Sequence, residues 1–183
     1  MKTVVIVICL ALLAGICLLA YHLHRRNAPG SARERSQFEF VVQAPYAQVF
    51  PLFGAEKERV WAGKDWDPTF IYPKPPNDVE GAVFTIQHGQ ATTVPWVNTS
   101  FDMKSGHVQY VYVIPDTLTT LIDIHIAPQD AQNTKIDVAY ERTALTAGGN
   151  DRVRRMAESD RRAGPEWTQQ INSYLKTVST SKP

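Results

Sequence analysis

The chain has 183 residues, 44% hydrophobic and 20% charged, a near-average globular composition that excludes wholesale disorder. Its net charge of +1 hides an asymmetry: residues 1–36 carry five basic side chains against Glu34, whereas residues 37–183 carry 14 basic and 17 acidic ones. A mildly acidic body lacks the basic face of a nucleic-acid-binding domain, and with both cysteines (Cys9, Cys17) in the N-terminal run it holds neither disulfides nor cysteine-ligated metal.

Residues 3–21, TVVIVICLALLAGICLLAY, run for 19 positions without a charge. As a helix they span about 28 Å, close to a hydrocarbon core of about 30 Å. A cleaved signal has a shorter apolar stretch of about 7–15 residues, and Ile16 stands where a lipidation motif around Cys17 needs a small residue. The run therefore predicts a single-pass transmembrane anchor over residues 1–26. Arg25, Arg26, Arg33 and Arg35 outweigh Lys2 and the amino terminus, so the positive-inside rule puts the body on the cytoplasmic side. His22 and His24 read as an interfacial collar with the arginines rather than as a metal or anionic-lipid site. Residues 27–36, NAPGSARERS, read as a flexible tether.

The body opens with clean alternation. Phe38, Phe40 and Val42 share one face of a strand over Gln37–Gln43. Pro45 then starts a helix with Val49, Phe50 and Phe53 as its stripe, ended by Gly54, and a second helical piece covers 55–62. From Thr69 the period is two. Strands are predicted over Thr69–Tyr72, Ala82–His88, Thr93–Phe101, Val108–Ile114, Thr120–Ile126 and Ile136–Arg142, with a hairpin at Lys104-Ser105-Gly106. A sheet with one apolar face needs a cover. Residues 150–178 provide it, with Val153, Met156, Ala157, Trp167, Ile171, Tyr174, Leu175 and Val178 at helical spacing and a break expected at Gly164-Pro165. A domain over 37–178 and a disordered tail over 179–183 complete the reading.

This order, and the pieces that fill it, resemble the START-like (SRPBCC) superfamily. The matching pieces are Ala44-Pro45 with Val49-Phe50-Pro51-Leu52-Phe53, Glu58-Arg59-Val60-Trp61, Trp66-Asp67-Pro68, Glu80-Gly81-Ala82-Val83-Phe84, His88, Trp96, the Tyr110 strand, Tyr140 with Thr143-Ala144-Leu145, Gly149-Asn150, and Glu166-Trp167 through Tyr174-Leu175. The nearer likeness is to its uncharacterised bacterial polyketide cyclase/dehydrase-like branch. The resemblance implies an α+β helix-grip fold, a curved antiparallel sheet wrapped around a long C-terminal helix, with a cavity for hydrophobic ligands. It implies no particular reaction, because superfamily members range from lipid carriers to cyclases and hydrolases.

No motif names a reaction: G-x-S-x-G, the P-loop, strand-borne G-x-G-x-x-G and H-E-x-x-H are all absent. Strand parity puts His88 with Phe84 and Ile86, where it either touches a ligand oxygen or makes a structural hydrogen bond. Arg142 continues the face of Ile136, Val138 and Tyr140. It either holds a carboxylate or enolate oxygen or pairs with an acid in the Glu58 or Glu166 region. Glu58 and Arg59 read as structural ion-pairing residues. His125 and His107 read as solvent-facing, and the Asn98-Thr99-Ser100 sequon as coincidental. Trp61, Trp66, Trp96, Trp167, Tyr110, Tyr112 and Tyr140 suit either an ordinary core or a pocket that grips an apolar body and fixes one oxygen.

The expected function is a membrane-anchored binding or carrier domain for a lipophilic small molecule held between sheet and C-terminal helix. Its cavity is expected to use His88, Trp96, Tyr110, Tyr112, Tyr140, Arg142, Trp61 and Trp167, with no metal and no cofactor. The alternative is a cyclase- or dehydratase-type enzyme in which His88 or Arg142 polarises a carbonyl, and a scaffold with a vestigial cavity is the third possibility. Nucleic acid is not an expected partner.

Overall fold

Alternation of apolar and polar residues carries through to the fold strand by strand. In the computed structural model, which describes residues 30–88 and 92–180 apart from the side chains of His88 and Thr92, seven strands form one antiparallel sheet in the order β1-β7-β6-β5-β4-β3-β2. They are β1 (Arg33–Val42), β2 (Thr69–Tyr72), β3 (Val83–His88), β4 (Thr92–Asp102), β5 (His107–Ile114), β6 (Leu118–Pro128) and β7 (Thr134–Ala144). Each neighbouring pair is antiparallel. The helices are α1 (Tyr46–Val49), α2 (Ala55–Glu58), α3 (Asn150–Asp160) and α4 (Gly164–Thr180), and 3-10 turns follow α1 and precede α3. The architecture is α+β, with the curved sheet and C-terminal helices of a helix-grip arrangement.

The chain divides into two units, Met1–Gly30 and Ser31–Pro183, and this fold is that of the second. The expected anchor over 1–26, the His22/His24 collar and both cysteines lie outside the described residues. Among the described residues no helix is long and apolar enough to cross a membrane.

Several boundaries differ from expectation, each for a local reason. β1 begins at Arg33, so the last four residues of the expected tether are strand. Ser36 continues the inward parity of Phe38 and Phe40, and its hydroxyl donates to Asp160 at 2.7 Å. The predicted helix after Pro45 is one α-turn followed by a 3-10 turn over Phe50–Phe53, because Pro51 supplies no N–H to continue the α ladder. The piece expected over 55–62 is helical only over Ala55–Glu58. Its first free N–H groups are capped from afar by Asp78, whose carboxylate accepts from Glu56 N at 2.9 Å and Lys57 N at 3.3 Å. Gly54 makes that approach possible, since a Cβ there would stand 2.2 Å from the Asp78 carboxyl carbon. The long C-terminal helix is two helices. α3 lies on β1 and β7, and α4 on β1, with the break just before Pro165 as the sequence requires. α4 runs to Thr180, so the expected tail loses Ser179 and Thr180 to helix; residues 181–183 lie outside the described residues.

The inward faces are those the sequence assigns. Phe84, Ile86, Trp96, Tyr110, Tyr112, Ile122, Ile124, Val138, Tyr140 and Arg142 are all buried. The register lines them up across the sheet, with Trp96 opposite Tyr112, Tyr112 opposite Thr120, and Thr120 opposite Arg142. Asn98, Tyr110, Ile122, Tyr140 and Ser36 form the next row.

Candidate functional site

These two rows form the floor of a cavity of about 560 Å3. Tyr110, Tyr112, Trp96, Ile122, Tyr140 and Arg142 rise from the sheet. Glu58, Trp61 and Trp66 close one side from α2 and the loop after it, and Glu166, Trp167 and Gln170 close another from the first turns of α4. The Trp96 and Tyr112 rings stack with centroids 4.2 Å apart, Trp66 meets Trp96 edge-on at 5.5 Å, and Trp61 meets Trp167 edge-on at 5.3 Å. Trp167 also stands edge-on over Phe38 at 5.3 Å, which ties α4 to β1.

Of the residues expected to line the cavity, Trp61, Trp96, Trp167, Tyr110, Tyr112, Tyr140 and Arg142 meet around it. His88 is the last residue of β3, opposite Thr92, and its side chain lies outside the described residues.

The polar tips differ sharply in how they are used. Tyr110 donates to Phe53 O at 2.7 Å, Trp61 Nε1 to Leu52 O at 2.6 Å and Trp66 Nε1 to Ala55 O at 2.8 Å. The first bond fastens the 3-10 turn before α2 to the sheet, and the other two fold the loop after α2 back onto that turn and onto α2. Trp96 Nε1 is buried without a hydrogen-bond partner among the described residues, as are Arg142 Nε and the Thr120 hydroxyl beside it. An unpaired buried donor costs about 1–3 kcal/mol relative to a satisfied one. An acceptor oxygen brought in by a ligand would recover that.

Arg142 does find an acid, but neither Glu58 nor Glu166. Its Nη1 donates to Asp160 at 2.6 Å, where α3 ends over β1 and β7, and its guanidinium carbon lies 4.3 Å from the centre of the Tyr140 ring. Burial lifts the Asp160 carboxyl above its ordinary value, while the Arg142 charge and the Ser36 hydrogen bond pull it back. Burial likewise raises the Tyr110 and Tyr140 hydroxyls, so both stay protonated. The Arg142 charge is therefore held by the fold, while its Nε stays buried without a partner among the described residues.

Glu58 is the residue that the sequence reading misplaced. Arg59 turns away from it to Glu56, at 2.9 Å, and to Asp67 and the Pro68 carbonyl. Glu58 points into the cavity, 5% exposed, with no ion pair among the described residues. Burial, reinforced by the Asp78 charge, holds its carboxyl well above the usual carboxylate range, which favours the neutral acid. The signal was positional: Ala55, Trp61 and Ala62 lie three or four residues from Glu58, so the acid occupies the inward stripe. Asp160 was missed on the same grounds, three residues after the buried Ala157 and seven after Val153. The sequon is closed, since Asn98 is 1% exposed on the inward face of β4.

No family model and no curated protein matches the chain. Solved structures do. Norcoclaurine synthase from Thalictrum flavum, in complex with dopamine and hydroxybenzaldehyde, superposes with a TM-score of 0.57 at 12% identity, covering 84% of this chain and 90% of its own. Ara h 8.0201 gives 0.56 at 15%, covering 80% and 99%. The di-domain ARO/CYC protein BexL gives 0.58 at 13%, covering 80% of this chain and 47% of that one. At such identities the shared property is the fold alone, a helix-grip.

Proposed function

We propose that the domain binds a small, flat, largely apolar molecule bearing an acceptor oxygen, and that it does so on a membrane-tethered chain of the polyketide cyclase-like branch. The observation that carries the reading is Trp96 Nε1. In a cavity where Trp61, Trp66 and Tyr110 spend their donors on backbone carbonyls, this indole N–H is buried and unpartnered. The stacked Trp96–Tyr112 pair offers an aromatic wall for the apolar body, and burial contributes about 25 cal/mol per Å2 of apolar area before ordering costs. Norcoclaurine synthase, on the same fold, holds dopamine and hydroxybenzaldehyde, both oxygen-bearing aromatics. The uncharged run over residues 3–21 would keep the domain beside the bilayer, on its cytoplasmic side, where lipophilic molecules concentrate.

The test is calorimetric titration of the full chain in mild detergent with 4-hydroxybenzaldehyde and with p-xylene, in wild type and Trp96→Phe. A net hydrogen bond of about 0.5–1.5 kcal/mol corresponds to roughly a two- to twelvefold change in affinity. The substitution should weaken the aldehyde by that factor and leave p-xylene nearly unchanged. Equal effects on both would remove Trp96 as the anchor, and binding of neither would remove the cavity reading.

Glu58 favours a second reading, an acid–base enzyme of cyclase or dehydratase type. A neutral carboxylic acid beside an aromatic wall can donate a proton to a carbonyl oxygen, whereas Arg142 is committed to Asp160. Solvent deuterium exchange into the methyl group of acetophenone, faster with wild type than with Glu58→Gln, would support it. Equal rates would leave the binding role alone.

A further inference from the structure

The convex face of the sheet carries a group of side chains that the cavity does not use. His107 on β5 stands directly opposite His125 on β6, and Asp123 lies two residues before His125 on the same face. Strand neighbours at i and i+2 point the same way, and cross-strand partners bring their Cβ atoms within about 4.5–5.5 Å. The two imidazoles stack with centroids 4.9 Å apart and planes inclined by 13°. Both direct Nε2 at one carboxylate, His107 to Asp123 Oδ1 at 2.6 Å and His125 to Asp123 Oδ2 at 3.3 Å. Gln109 donates to the same Oδ1 at 3.1 Å and fixes the carboxylate in place. One ligand atom from each of the three residues lies within 4.8 Å of the others.

We propose that His107, His125 and Asp123 form a surface site for a divalent late transition-metal ion of the zinc–copper class. Two imidazoles and a carboxylate are borderline ligands that suit Zn2+ and Cu2+ better than Mg2+ or Ca2+. Zinc–ligand bonds of about 2.0–2.2 Å put tetrahedral donors roughly 3.3 Å apart. The short His107 contact would open by about 0.7 Å and the widest separation, within 4.8 Å, would close by up to about 1.5 Å, within the reach of side-chain rotation. Metal at Nε2 leaves each ring its proton on Nδ1. Three protein ligands leave a fourth position to water, since His125 is 61% exposed and the others are about one-third or less.

The surroundings favour a cation. Asp137 on β7 stands opposite His125, and Asp102 on β4 stands opposite His107. Glu39 on β1 lies beyond Asp137, with Lys135 bridging the two at 2.8 and 3.2 Å. Burial pushes the Asp123 carboxyl up, but the hydrogen bonds from His107 and Gln109 more than reverse that, so it lies below its ordinary value and is ionised at neutral pH.

The decisive experiment is titration of the metal-free full chain at pH 7.5 with ZnCl2, repeated with CuCl2 and MgCl2. Zinc and copper should bind at one equivalent and magnesium should not compete. His107→Ala and the isosteric Asp123→Asn should each weaken zinc by roughly tenfold or more, since losing even an outer-shell partner costs about 10–100-fold. The His107→Ala/His125→Ala pair should abolish it, and His22→Ala/His24→Ala should leave it unchanged. Zinc should also raise the unfolding midpoint of wild type clearly more than that of Asp123→Asn, which settles the matter if an alanine variant fails to fold. Wild-type affinity in the 107/125 pair, loss in the 22/24 pair, or equal competition by magnesium would overturn the site.

Discussion

The two ends of the concave face are built from the same strands and filled in opposite ways. Where Ile126 and Ile136 face Phe40, the cover is Val49, Phe50 and Phe53, each 1% exposed or less, with Phe50 against Phe101 at 5.0 Å and Phe53 against Phe40 at 6.5 Å. Three rows along, Tyr112, Thr120 and Arg142 replace the aliphatic residues, the cover retreats to Trp61, Trp66 and Trp167, and a cavity remains. Close packing at the first end holds the domain together. The second gives up that packing, and its polar atoms are positioned rather than satisfied.

That contrast can be broken at its strongest point first. Phe53→Ala at the filled end should destabilise the domain by about 3–5 kcal/mol, read from urea unfolding, because a fully buried ring leaves a void its neighbours cannot close. A loss under about 1 kcal/mol would mean that the filled end is not close-packed and that the two ends do not differ. At the boundary between them, Asp160→Ala should cost a comparable amount, about 3–5 kcal/mol, by leaving the Arg142 charge buried alone. Adding Arg142→Met should recover most of it. If the double variant is no better than the single, the pair is not the reason for the loss.

The smallest effect sharpens the comparison through pH. Glu58 keeps its proton to higher pH in the folded state than in the unfolded chain. Across that window the folded form binds more protons, so stability falls as pH rises through the raised value. Each pKa unit of that difference corresponds to about 1.4 kcal/mol. Glu58→Gln should flatten the fall, matching wild type in acid and exceeding it in mild alkali. Parallel curves for the two proteins would place the carboxyl in solvent.

Alternation was enough to read the strands and their inward faces, including Tyr140 and Arg142, because a period of two has one solution once a face is apolar. The kink before Pro165 was legible for the same local reason. Glu58 and Asp160 were not. Each sits at an inward helical position, but a charged residue reads as surface until its surroundings are known: Asp160 meets Arg142, 18 residues away, and Glu58 is buried under the influence of Asp78 from a separate loop. The extension of β1 back to Arg33 was hidden too, since Arg33, Glu34 and Arg35 look like a tether. Glu141 pairs with Arg33 at 2.7 Å only because β7 runs alongside.

The short strand at the other margin has a consequence for the company the molecule keeps. β2 is four residues long, and Pro73, Pro75 and Pro76 follow it at once, so the chain beyond it has no N–H at three of the next four positions. A sheet margin invites another chain only where it presents a run of free donors and acceptors in register. Here the exposed Ile71 and Tyr72 would otherwise make an adhesive rim, and the prolines deny it the ladder that a neighbouring strand would need. The sheet is thus protected from growing by accretion at the margin nearest its cavity.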